Sequence, residues 1–130
     1  MNDSEVIFTT YDPLNRQIIL KSDTWRNHIS KHSEVKPDDI KKNIEKPVYI
    51  INNVKPVENG SPQLKVDETR QDYIGLYKNT QTQRLYIMKT IVEFNLTDRG
   101  EVVTNYILRK ASEIKLDGGV VYDMYKSKNS

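Results

Sequence analysis

Val and Ile together supply 24 of the apolar residues in this chain, against eight Leu and one Ala. Branching at Cβ stiffens the side chain and suits a pleated strand, whereas Ala and Leu are the residues from which stable helices are built. An all-helical fold is therefore excluded, and strands must carry most of the core. At 130 residues the chain fits a single domain, 1–130, large enough to hold a core without a metal or a disulfide. The apolar share is 36% and the charged share 29%, so that core is thin and the surface strongly hydrated. Eight of the eleven aromatic residues are Tyr, whose ring and hydroxyl suit either a polar site or the margin of a thin core.

The chain has no Cys, which removes disulfides, thiolate metal sites and a cysteine nucleophile, and fits a reducing compartment. Met1-Asn2-Asp3-Ser4-Glu5 is acidic where a signal peptide is basic. No apolar run approaches the roughly twenty residues that cross a bilayer. The expectation is a cytoplasmic protein without a membrane partner. Twenty Lys and Arg against eighteen Asp and Glu leave a formal charge of +2, and bulk charge does not single out nucleic acid.

Along the chain, Val6 to Thr10 and Gln17 to Leu20 read as strands joined by the turn Asp12-Pro13-Leu14-Asn15, an opening hairpin. Ser22 or Asp23 can cap a helix from about Thr24 to His32, with Trp25, Ile29 and His32 on its apolar stripe. Lys36-Pro37-Asp38-Asp39 announces a second helix, with Pro in its first turn and carboxylates at the positive end of its dipole; Ile40 and Ile44 form its buried face and Pro47 ends it. Strands follow at Val48 to Ile51, Tyr73 to Tyr77, Arg84 to Phe94, Val102 to Leu108 and Val120 to Tyr122. Asn52 to Asp72 reads as a long loop that can hold strand pieces, Asn95 to Gly100 as a turn, and Lys126 to Ser130 as a frayed tail. The order defines an α+β chain: an N-terminal hairpin and two helices packed on a twisted antiparallel sheet of about four to five strands.

His28 and His32, the only histidines, are spaced to share one helix face. They can be packing and dipole-complementing residues, a weak two-histidine metal pair, or a general acid and base. Lys89 interrupts the alternation Leu85, Ile87, Ile91 where another aliphatic side chain would fit. A hairpin centred between Thr97 and Asp98 pairs Lys89 with Tyr106 and Ile91 with Thr104, so Lys89, Thr104 and Tyr106 share one sheet face. A lysine there either snorkels at an edge or meets an anion such as phosphate. Arg70 is a second candidate phosphate partner, though a loop arginine is ordinarily solvated. The glycines lack phosphate-loop spacing, and there is no Gly-x-Ser-x-Gly elbow or Asp-rich metal cluster.

Gln17-Ile18-Ile19-Leu20, then Trp25-Arg26-Asn27-His28-Ile29 with His32, then Ile40, Ile44 and Pro47, resemble the opening of the phage-associated barnase, EndoU, colicin and RelE-like domains, the BECR fold. Downstream, Thr104-Asn105-Tyr106 stands where those domains carry a Thr-Ala-Tyr or similar signature, with Asn at the middle position. The resemblance covers roughly residues 6–110. It implies a BECR-like fold and a metal-independent endoribonuclease of prophage, toxin or mobile-element type, with no cofactor. RNA is the implied partner, joined in toxin settings by a cognate immunity or antitoxin protein. Cleavage through the 2′-hydroxyl needs a base, an acid for the leaving oxygen and donors for the charge on phosphorus. His28 is the first choice for acid or base and His32 the second. Lys89 or Arg70 would hold the phosphate, Thr104 and Tyr106 would donate hydrogen bonds, and Tyr73 or Tyr77 would stack a base. The competing reading is a catalytically inactive interaction module of the same fold.

Overall fold

A computed structural model describes residues 5–30, 35–57, 63–94 and 99–127. The chain opens with β1 (Val6–Tyr11) and β2 (Gln17–Lys21), an antiparallel hairpin closed by the pair Tyr11 and Gln17. Its turn is organised by Asp12, whose Oδ1 accepts from the backbone amides of Leu14 and Arg16, both at 2.9 Å. Asn15 supplies the left-handed residue, φ 65°, which Asn tolerates better than most side chains.

The helix expected from Thr24 to His32 takes another form. A single turn, α1 (Ser22–Thr24), widens into a π-helical segment, Trp25–Ile29, closed by the Ser30 amide on the Trp25 carbonyl at 2.8 Å. Ile29 is still buried and Trp25 packs against the core. His32 lies outside the described residues. The second helix, α2 (Pro37–Glu45), starts at its proline, and Asp39 accepts a hydrogen bond from the Lys36 backbone amide at 2.9 Å. Ile40 and Ile44 are fully buried, and Asn43 between them is buried as well.

The remaining chain builds β3 (Tyr49–Pro56), β4 (Leu64–Lys78), β5 (Leu85–Phe94), β6 (Gly100–Leu108) and β7 (Val120–Asp123). With the opening hairpin they form one seven-stranded sheet in the order β1-β2-β6-β5-β4-β3-β7. Every neighbouring pair is antiparallel except β2 with β6, which is parallel. This corrects the expected architecture. The molecule is mostly sheet, a mixed seven-stranded half-barrel, in place of two helices on a four-to-five-stranded antiparallel sheet of BECR-like form. The expected loop from Asn52 to Asp72 is largely strand, because Val54, Lys55 and Pro56 pair with Val66, Lys65 and Leu64 in a two-stranded ribbon. Its residues are largely exposed on both faces, so no apolar alternation marks it. The last strand joins β3, and the opening hairpin joins β6 through Ile18 and Gly100 and through Ile19 and Glu101.

One sheet face carries Ile18, Leu20, Tyr73, Met88, Val92 and Val102, which bury together with Ile29 of the π-helical segment and Ile40 and Ile44 of α2. This is the covered face. Alternation sends Asp72, Ile74, Lys89, Ile91, Thr104 and Tyr106 to the opposite, open face. The β5–β6 register agrees with the expectation, Lys89 against Tyr106 and Ile91 against Thr104. Val92 pairs with Val102, so Val103 is the extra residue of a bulge beside the pair of Ile91 and Thr104, and the expected turn from Asn95 lies largely outside the described residues.

Candidate active site on the open sheet face

Three adjacent strands bring the open-face residues into two rows. Asp72, Ile91 and Thr104 lie side by side across β4, β5 and β6, and Ile74, Lys89 and Tyr106 form the next row. The Lys89 ammonium lies 5.7 Å from the centroid of the Tyr106 ring, within cation–π range, and that ring is 50% exposed. Asp72 is 4% exposed. The pairing of β3 with β4 shifts between Asn52 and Val54, and the intervening Asn53 donates from Nδ2 to Asp72 Oδ1 at 2.7 Å.

Burial raises the pKa of Asp72 above the ordinary carboxylate range; the Asn53 hydrogen bond and the charge of Lys89 pull it partly back. The face thus holds a carboxyl that keeps its proton more readily than a free aspartate, diagonal to the cation of Lys89, with the Tyr106 phenol on the far side of that lysine, two strands from Asp72. Such a set can exchange a proton with a substrate and neutralise an anion. Sequence reasoning missed Asp72 because it stood at the end of an assumed loop. The signal was present in Asp72, Ile74 and Leu76, whose period of two continues the open face.

The other predicted residues are distributed elsewhere. His28 is exposed on the π-helical segment, whose Ile29 and Trp25 pack into the covered face, whereas Lys89, Thr104 and Tyr106 project from the opposite one. Arg70 Nε contacts Glu93 Oε1 at 3.2 Å in a cross-strand ion pair. Tyr73 is 0% exposed, which leaves no ring face for a base. Its hydroxyl donates to Asp12 Oδ2 at 2.5 Å and accepts from Arg16 Nη2 at 3.1 Å. Burial, reinforced by the Asp12 hydrogen bond, pushes the pKa of that phenol up. Tyr77 lines a groove beside α2. Asn105, the middle residue of the Thr-Asn-Tyr stretch, points to the covered face. There its Oδ1 accepts from Thr90 Oγ1 at 2.6 Å, so it serves the core while its two neighbours face outward.

Comparison with protein-family models, curated proteins and solved structures found no match. Among the described residues no helix is long and apolar enough to cross a membrane.

Proposed function

We propose that the protein is a metal-independent endoribonuclease that acts on cytoplasmic RNA from the open sheet face. The observation that carries this reading is Asp72: a buried carboxyl of raised pKa diagonal to Lys89, on the sheet face that also carries Thr104 and Tyr106 two strands away. In the reaction the 2′-oxygen loses its proton and attacks phosphorus. The bond from phosphorus to the 5′-oxygen breaks, and that oxygen takes up a proton, leaving a 2′,3′-cyclic phosphate and a 5′-hydroxyl. Asp72, which holds its proton more readily than a free aspartate, is suited to give it to the departing 5′-oxygen, the acid role that sequence reasoning offered to His28, while the 2′-proton passes to water. Lys89 opposes the charge that develops on the phosphoryl oxygens, and Tyr106 and Thr104 supply hydroxyl donors. A toxin or mobile-element setting, with an immunity or antitoxin partner, rests on the sequence resemblance alone, since the seven-stranded sheet is not the fold that resemblance implies.

Incubation with RNA in chelator tests the reading. Cyclic-phosphate ends should form, and Asp72→Asn should lower the rate by about 10²–10⁴, the range of one positioned acid or base. His28→Ala should retain most activity. A second reading, a catalytically silent interaction module, is favoured by the placement of His28 away from Lys89, Thr104 and Tyr106. Absence of cleavage with any RNA, or full activity in Asp72→Asn, decides against the nuclease as described.

A further inference from the structure

On the other side of the molecule, the last turns of α2, the end of β4 and the β4–β5 turn enclose a groove of about 670 Å³. It is continuous with a smaller one of about 230 Å³, since Asp39, Tyr77, Lys78 and Thr80 line both. Together they fall in the size range of small-molecule sites. Tyr77 and Met88, from the covered face, give the groove an apolar side, and its rim holds Lys36, Lys42, Lys46 and Lys78.

The rim charges are unequal, with four lysines against the carboxylates of Asp39 and Glu45. The two carboxylates of the lining are already engaged: Asp39 accepts from the Lys36 amide, and Glu45 accepts from the Thr10 hydroxyl. None of the four lysines forms an ion pair among the described residues. Lys42 and Lys46 complement the negative end of the α2 dipole, which accounts for them without a ligand. The dipole gives no such reason for Lys36, at the positive end of the same helix where a cation is unfavourable, nor for Lys78 at the end of a strand. The wall is preformed. Asn79 Oδ1 accepts from the amides of Gln81 and Thr82 at 2.9 and 3.0 Å, and the Gln83 amide closes on the Asn79 carbonyl at 2.8 Å.

We propose that this groove binds a phosphorylated small molecule of nucleotide size, its phosphates on the lysine rim and its planar body beside Tyr77. The proposal is independent of chemistry on the open sheet face. Adenosine 5′-diphosphate is the probe, titrated into the isotope-labelled full chain and followed by amide chemical shifts. Saturable shifts are expected at Lys42, Tyr77, Lys78 and Thr80, with adenosine giving none and pyrophosphate binding more weakly than the nucleotide. Lys36→Glu with Lys78→Glu should weaken binding at least about tenfold, as loss of charge-assisted contacts to phosphate does, with the rest of the spectrum retained. Lys78→Arg should preserve it. Absence of saturation up to about 5 mM, the weak limit of specific recognition, overturns the proposal. So do equal binding of adenosine or pyrophosphate, unchanged affinity in the double variant, and shifts centred on Lys89 and Tyr106.

Discussion

At the scale of single residues, the molecule holds two buried aspartates with different tasks. Asp12 is saturated: its carboxylate accepts from the Leu14 and Arg16 amides, from Arg16 Nε at 2.9 Å and from the Tyr73 hydroxyl. Arg16 also stacks over Phe94, 4.3 Å from its centroid, so the β1–β2 turn is held against β4 and β5. Tyr73→Phe removes the donor to Asp12 and the acceptor of Arg16 together. It should cost about 1–3 kcal/mol, the range for a buried group deprived of its hydrogen bond, read from urea denaturation. Asp72 differs because only Asn53 donates to it among the described side chains, and its folded pKa is raised. A raised carboxyl pKa means that the folded state holds the proton more tightly than the unfolded chain. The stability so contributed is full below the unfolded pKa and is lost as pH rises through the folded one. Asp72→Asn cannot ionise and escapes that loss. The variant should therefore gain on the parent chain as pH rises above the ordinary aspartate value, about 4. A stability difference that stays constant over this range would show that Asp72 titrates like a free aspartate.

At the scale of elements, α2 is seated on the sheet by a polar contact inside an apolar one. Asn43 Nδ2 donates to the Tyr73 carbonyl at 2.9 Å and to Thr90 Oγ1 at 3.0 Å, and the Thr90 hydroxyl donates in turn to Asn105 Oδ1. The side chain fits only because residue 75 is Gly: a Cβ there would lie 1.9 Å from Asn43 Oδ1. Gly75→Ala should displace Asn43 and cost about 2–4 kcal/mol, overpacking plus broken buried hydrogen bonds. In Asn43→Ala the same substitution should cost much less, and a double-mutant cycle measures that coupling. Independent, additive losses would show that α2 is not held through this contact. Much of this layer was legible in the sequence. Pro37, Ile40 and Ile44 mark α2, and alternation through Leu85, Ile87, Lys89 and Ile91 sets the β5 faces. The ribbon at Val54 to Pro56 and Leu64 to Val66 was not, because a strand pair outside the core carries no burial pattern. Nor was the parallel union of β2 with β6, a pairing of residues about eighty positions apart that no local period encodes. Asp72 was lost with the ribbon: once its segment read as loop, its place beside Lys89 had no meaning.

For the whole molecule, the excess of β-branched residues resolves into one curled sheet whose covered face buries Ile, Val and Leu and whose open face stays accessible around Tyr106. The net charge of +2 also acquires a meaning, because the cations are local. Arg70 is paired with Glu93 and Lys21 with Glu101, while Lys89 stands on the open face and the lysine rim surrounds the groove beside α2. Among the described residues these two groups of cations lie on different parts of the molecule. An RNA strand held on the open face would then displace few counterions, since the salt dependence of binding counts the phosphates neutralised. With about two or three phosphates engaged, the plot of log affinity against log salt for a single strand should have a slope near −1.5 to −2. Fluorescence anisotropy of a labelled strand with the Asp72→Asn variant measures this without cleavage. Lys89→Ala should make the slope shallower by about 0.7, one phosphate's share for a single strand. A slope steeper than about −4, or one that is unchanged by Lys89→Ala and falls when Lys36 and Lys78 are reversed in charge, would place the strand along the groove of α2. The open face would then be only the outer surface of the core.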